Sequence, residues 1–71
     1  MILQYNTTND PAYQAGHAAE VRAFYSGEIS DFYRDNPQLL INASYSDELS
    51  KYNERDKELW TEGFKAGLKG Q

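Results

Sequence analysis

The chain has 71 residues, no cysteine, one histidine and a net charge of −4 at pH 7. This length predicts one small domain with a modest core. Without cysteine there is no disulfide and no thiolate metal site, and one histidine is too few for a structural zinc site, so we expect no metal and no cofactor. No apolar run reaches the roughly 18 residues of a membrane span. The start, MILQYNTTND, lacks the features of a secretory signal. We therefore expect a soluble, cytoplasmic protein of a bacterium or a phage-infected cell.

The first ten residues are predicted to form a flexible arm ahead of a single helical domain over residues 11–71. The arm contains the short apolar run ILQY. That run could alternatively add as an edge strand to another sheet.

The segment NDPAYQAGHAAEVRAFYSG predicts a helix over about residues 11–26. Asn9 or Asp10 can cap its start, and Pro11 suits the first helical position. Gly27 stands where a residue in the left-handed conformation commonly ends a helix. This segment therefore carries signals for both ends of one helix.

The middle of the chain predicts a second, short helix. EISDFYRDNP favours a helix over about residues 29–34, which ends before Asn36 and Pro37 because proline disfavours a helical residue ahead of it. The conformation of residues 37–45 stays open, since QLLINASY suits a short extended piece or one helical turn.

The longest periodic segment is SDELSKYNERDKELWTEGFKAGL. Ser46 is a good cap, and Asp47 and Glu48 suit the positive end of the helix dipole. The stretch NERDKE is wholly polar, so either the helix crosses solvent there or it breaks and Asn53 caps a new helix. We expect a helix over about residues 47–68 with a kink near this asparagine.

Small residues form a stripe on each long helix. On the first helix the stripe consists of Ala12, Gly16, Ala19 and Ala23. On the last helix Gly63 and Gly67 are four apart and share a face. A glycine inside a helix costs about 1 kcal/mol relative to alanine, and a close approach of two helix axes can offset that cost. We therefore predict that the two stripes meet.

Four aromatic residues flank these stripes, and we expect Trp60 and Phe64 to pack against Tyr13 and Phe24. The predicted fold class is all-α. Two main antiparallel helices pack together, with a short helix and a turn between them. A stripe that faces a second chain, as in a homodimer, is the alternative that the sequence leaves open.

His17 and Glu20 are three apart on the predicted first helix and could share a ligand. One further protein ligand is still needed for a metal site, so we read His17 as a partly exposed histidine beside a carboxylate. The chain has no phosphate-binding glycine loop and no cysteine nucleophile. We therefore expect a protein that is not an enzyme.

Residues 26–50 hold five acidic side chains against one basic side chain, a balance of −4. Such a surface can simply keep a small protein in solution. It can also dock on a basic groove, with carboxylates in the place of phosphates and aromatic residues or arginine as anchors. The residues predicted to contact a partner are Asp31, Phe32, Tyr33, Arg34, Asp35, Asp47 and Glu48.

Direct binding to nucleic acid is not expected, because it needs clustered lysine and arginine. We expect a protein partner with a basic surface instead. The function that fits best is a stoichiometric inhibitor or regulator of a nucleic-acid-handling protein machine, encoded by a phage or a bacterium. A small structural or oligomeric subunit is an alternative.

Two motifs resemble the small ribosome modulation factor-like proteins of bacteria and phages: AYQAG at residues 12–16 and RDKELWTEGFKAG at residues 55–67. The residues that carry the resemblance are Ala12, Gln14, Gly16, Pro37, Trp60, Gly63 and Phe64. The resemblance implies a pair of packed helices. It also implies a ribosome-associated role as a further alternative.

Overall fold

The computed structural model describes residues 7–70, and within them every regular element is helical. A 3-10 turn at Thr7–Asn9 precedes five α-helices. Their bounds are α1 Pro11–Tyr25, α2 Asp31–Asp35, α3 Pro37–Ser44, α4 Ser46–Leu49 and α5 Glu54–Leu68. The predicted all-α class is confirmed. The ILQY run and the other residues before Thr7 lie outside the described part of the chain.

Helix α1 begins and ends where its sequence signals predict. The Asp10 side chain accepts a hydrogen bond from the Ala12 amide at 2.9 Å, and Pro11 occupies the first turn. Gly27 has a φ of 81°, in the left-handed region. The Glu28 amide then bonds back to the Ala23 carbonyl at 3.0 Å, which closes the end of the helix. Asp10 is buried, so the described residues just before α1 are attached to it.

The middle segment is helical throughout most of its length. Ser30 caps α2 by accepting a hydrogen bond from the Tyr33 amide at 3.2 Å. Pro37 then opens α3, which answers the question left open for residues 37–45. Helix α3 places Leu40 and Ile41 in the core.

The predicted continuous helix over residues 47–68 is wrong, because it is two helices. Ser46 opens α4 without a side-chain cap. After a short turn, the Asn53 side chain accepts a hydrogen bond from the Asp56 amide at 2.8 Å and starts α5. The polar stretch after Asn53 has no apolar face to bury, so a new cap with acidic residues in the first turn is more favourable than a solvent-crossing helix.

Helices α1 and α5 meet along the predicted small-residue stripes, a contact that we call the seam. A methyl group built on Gly16 would overlap the carbonyl oxygen of Trp60 and lie 2.7 Å from its carbonyl carbon. A methyl group on Gly63 would overlap the carbonyl oxygen of Tyr13 in the same way. Backbone therefore lies against backbone, which is the close approach that the glycines were predicted to permit.

The predicted antiparallel arrangement of the main helices is not what the contacts show. Asp10 pairs with Arg55 at the start of both helices, and Glu20 packs on Gly67 near the end of both. Contacts thus advance in the same direction along α1 and α5. Residues 26–53, 28 in number, bring the chain back along the length of α1. That length is about 22 Å for 15 residues, so the three short helices have ample chain for the return.

The core lies between α5 and α3 and beside α1. Its buried side chains are Ala19, Leu40, Ile41, Trp60 and Phe64. The Trp60 and Phe64 rings stack at 5.5 Å. The predicted packing of these rings against Tyr13 and Phe24 is wrong. Phe24 is 53% exposed, and Tyr13 meets α5 through its backbone.

Candidate functional site

The seven residues predicted to contact a partner lie on two short helices. Helix α2 carries five of them and α4 carries Asp47 and Glu48. The structure gives them different surroundings. Some are exposed, whereas others are used by the fold.

Three residues of α2 form an exposed strip that we call the acidic edge: Asp31, Phe32 and Asp35. The side chain of Phe32 is 59% exposed, and both aspartates are exposed. Asp31 lies in the first turn of α2, where a negative charge favours the helix. Asp35 is the last residue of α2 and directly precedes Asn36, the residue before α3, so it lies near the negative end of one helix dipole and the positive end of the next.

Tyr33 and Glu48 are used by the fold. Tyr33 is half-buried and packs on the core cluster. The half-buried Glu48 accepts a hydrogen bond from the indole N–H of Trp60 at 2.9 Å. A buried tryptophan needs such an acceptor, and this is the signal by which sequence reasoning could have set Glu48 apart from its neighbour Asp47, which is exposed.

Tyr45 joins the core to the charges near the surface, and its contact with the core is not predicted from the sequence. Its ring lies 5.3 Å from the Trp60 ring and 5.6 Å from the Phe64 ring. Burial raises the pKa of the Tyr45 phenol above its ordinary value of 10.0, and the carboxylates of Glu28 and Glu48 raise this pKa further, against a lowering by a nearby arginine. The neutral phenol is therefore the form that this position favours.

Arg34 lies on the side of α2 opposite Phe32, since two residues advance about 200° around a helix. There it lines a hollow of about 220 Å³ with Pro37, Lys65, Leu68 and Lys69. We call this group of residues the cationic hollow. Arg34 is therefore grouped with Lys65 and Leu68 of α5 and with Lys69, which follows that helix, although its sequence neighbours are acidic. Asp31 and Asp35 are not among the residues that line this hollow.

His17 and Glu20, the pair considered as metal ligands, face different surroundings. Glu20 is buried, with its carboxyl carbon 2.9 Å from the position of a methyl group on Gly67. His17 lines an open hollow of about 690 Å³ on the outer side of α1, with Gln14 and Val21 among its neighbours. Within residues 7–70 no three acidic or histidine side chains are grouped as a metal site would need.

No protein-family model, curated protein or solved structure matches this chain. Within residues 7–70, each helix is too short or too polar to span a lipid bilayer. A functional proposal must therefore start from the side chains themselves.

Proposed function

We propose that this chain is a small, non-enzymatic binding protein that docks through its acidic edge on a basic surface of a partner protein. The observation that carries the proposal is the exposed Phe32 with the exposed carboxylates Asp31 and Asp35 beside it on α2. An exposed ring beside two carboxylates offers an apolar anchor with a charged rim, which is a common plan for a protein interface.

The partner that fits this edge best is a protein that handles nucleic acid. Such a protein presents lysine and arginine where phosphates bind, and carboxylates can occupy those positions. The net charge of −4 favours the encounter. In a bacterial or phage-infected cytoplasm the chain would act stoichiometrically, as an inhibitor or regulator of its target.

A pull-down with matched charge variants tests this proposal. Wild-type protein and a D31N/D35N variant are immobilised and exposed to bacterial lysate. The control is E58Q/E62Q, which removes two exposed carboxylates from α5 instead. We expect wild type and control to retain the same basic nucleic-acid-binding protein, and D31N/D35N to lose it. Raising NaCl from about 0.1 M to about 0.5 M should release it, because salt screens exposed charges.

Two results would count against the proposal. One is binding that survives neutralisation of the acidic edge. The other is retention that is insensitive to salt. The ribosome-associated alternative predicts co-sedimentation with ribosomes in the same lysate. The residues that carry that resemblance include Gly16, Trp60 and Gly63, which the seam already requires for packing.

A further inference from the structure

One buried carboxylate of α1 has no polar partner among the described residues. Glu20 is only 5% exposed, yet none of the ion pairs and side-chain hydrogen bonds within residues 7–70 includes it. Burial of a charge is costly unless the charge is paired or hydrogen-bonded. A group of this kind in a native fold requires an explanation, and packing within the monomer does not provide one.

The Glu20 side chain lines a hollow of about 260 Å³ near the ends of α1 and α5. Within residues 7–70 no fully enclosed side-chain oxygen or nitrogen lacks a hydrogen-bond partner. The unpaired Glu20 oxygens therefore open to the surface, and this hollow is where they do so. Gly67 backs the carboxylate, since a methyl group built on it would lie 2.5 Å from the Glu20 Oε1 atom. The carboxylate thus occupies space that a side chain at position 67 would fill.

Two aromatic side chains line the same hollow, which we call the aromatic hollow. Phe24 is 53% exposed and Tyr25 is 83% exposed. Their rings meet edge to face, with centroids 5.6 Å apart and planes at 86°. Val21 and Leu68 add apolar surface. A carboxylate beside aromatic rings attracts a cation, because the ring faces carry negative potential.

The ligand that these groups fit is a positive charge on an apolar stem. The hollow is smaller than the roughly 300–1,000 Å³ of sites for drug-sized ligands, so it suits a single side chain. Of the two long basic side chains, the geometry favours lysine. One carboxylate oxygen of Glu20 lies against Gly67, so a planar guanidinium cannot bond both oxygens side by side. A compact ammonium needs only one of them.

We propose that the aromatic hollow binds a lysine side chain of a partner protein. The ammonium group donates a hydrogen bond to the Glu20 carboxylate and contacts the Phe24 and Tyr25 rings. The methylene groups of the stem lie on Val21 and Leu68, as long basic side chains commonly cover apolar surface. The inference goes beyond the proposed function, because no residue of the acidic edge lines this hollow. Only the source of the lysine, a basic partner, rests on that function.

Arg34 also lines the aromatic hollow, where its charge opposes a second cation. Its side chain is exposed, and none of the ion pairs among the described residues joins it to Glu20. It also lines the cationic hollow, so it can turn there when a lysine enters. Arg34→Gln removes the like charge and should tighten ammonium binding about two- to threefold, as expected for one exposed charge.

The cation n-butylammonium, an analogue of the lysine side chain, tests the site without any partner. We titrate it into the pure chain at constant ionic strength and follow amide and aromatic signals by NMR. The Gly67 amide and the Tyr25 ring should shift and saturate with a Kd of about 1–10 mM, as for one charge pair with ring contacts. Methylguanidinium should bind about threefold more weakly. Neutral n-butanol should give no saturable shift.

Matched variants assign the binding to this hollow. Glu20→Gln should raise the Kd by about tenfold or more. Glu62→Gln removes an exposed carboxylate of α5 outside the hollow and should leave the Kd unchanged. Tyr25→Ala should raise the Kd about threefold, and Gly67→Ala should also raise it, because the new methyl displaces the Glu20 carboxylate. Phe32→Ala removes the ring that the proposed function needs and should leave ammonium binding intact, so the two proposals can fail separately.

The stability of Glu20→Gln provides a second measurement. Glutamine is nearly the same size and carries no charge, so the variant removes a buried charge that has no partner. Its urea midpoint should therefore equal or exceed that of wild type. Circular dichroism establishes that every variant is folded.

Four outcomes would overturn the lysine site. The first is a wild-type chain that shows no saturable shift with n-butylammonium up to about 100 mM. The second is an equal loss of binding in Glu20→Gln and Glu62→Gln. The third is a urea midpoint of Glu20→Gln well below that of wild type, which would give the carboxylate a structural role. The fourth is tighter binding of methylguanidinium than of n-butylammonium, which would assign the hollow to arginine.

Discussion

The seam between α1 and α5 and the acidic edge on α2 use their residues in opposite ways. At the seam, Gly16 and Gly63 touch the backbone of the facing helix, and any side chain would collide with it. At the acidic edge, Phe32 and two aspartates are exposed, and the Phe32 ring contacts the neighbouring Tyr33 ring at 5.6 Å. The seam limits the size of the side chains at its glycine positions, whereas the exposed positions of the acidic edge have no such limit.

The contrast separates residues whose identity is set by packing from residues whose identity is not. A glycine at the seam has a packing reason, which is sufficient without any function. A phenylalanine that is 59% exposed gains little from packing within the monomer. The docking on a partner protein proposed for the acidic edge would give this ring a reason outside the monomer.

The largest effect should come from breaking the seam with one methyl group. Gly16→Ala gains about 1 kcal/mol of helix propensity but drives its new methyl into the Trp60 carbonyl. The helices must separate along the seam, and overpacking of this kind costs about 3 kcal/mol. We expect the free energy of unfolding, measured by urea denaturation, to fall by about 2 kcal/mol net, the gain offsetting part of that cost.

Gly67→Ala is the matched control for this substitution. Its methyl would meet the Glu20 side chain, with the carboxyl carbon at 2.9 Å. A side chain can rotate where a backbone carbonyl cannot, so this variant should stay within about 1 kcal/mol of wild type. Equal losses for Gly16→Ala and Gly67→Ala would show that backbone contact is not what distinguishes the seam.

Much of the seam could be predicted from the sequence, but its direction could not. The spacing of Ala12, Gly16, Ala19 and Ala23 places small residues on one face, whichever way the facing helix runs. Direction depends on the segment between the helices. The apolar run QLLINASY is too short for its periodicity to distinguish a helix from a strand. The sequence therefore does not predict that α3 returns the chain along α1. The sequence allows both a break at Asn53 and a continuous helix, because propensity alone does not favour two short helices over one long helix.

Glu48 sharpens the comparison, because it is a charged residue with a role in the core. By sequence it belongs with Asp47 as a surface charge, but it accepts the hydrogen bond of the buried Trp60 indole. Glu48→Ala leaves that N–H without its acceptor, which costs about 1–2 kcal/mol. Asp47→Ala, an exposed neighbour, should change stability by less than about 0.5 kcal/mol. Urea denaturation followed by tryptophan fluorescence compares the two, and equal effects would contradict the assignment of Glu48 to the core.

The candidate site was less predictable than the seam for a physical reason. Charge and aromatic content identify α2 as a surface for contact, but they do not say which side chains turn inward. Tyr33 turns to the core, and Arg34 turns toward Lys65 at the far end of the chain. The cationic hollow depends on a contact between residues about 30 positions apart, and only the parallel arrangement of α1 and α5 brings the required ends together.

Substitution of Tyr45 should give the smallest effect, and it tests by pH whether this residue belongs to the core. Its folded-state pKa is raised above 10.0, first by burial and then by carboxylates that include Glu28 and Glu48. A raised pKa means that the unfolded chain releases this proton first as pH increases. The contribution of Tyr45 to stability is therefore complete below about pH 10 and is lost as pH rises from there through the folded-state pKa.

Phenylalanine at this position has no proton to release. Between about pH 8 and about pH 11, the free energy of unfolding should fall more steeply for wild type than for Tyr45→Phe. The other five tyrosines are common to both proteins and cancel in the difference. Parallel pH profiles would show that the pKa of Tyr45 is not raised in the folded state. Tyr45 would then belong with the exposed residues rather than with the core.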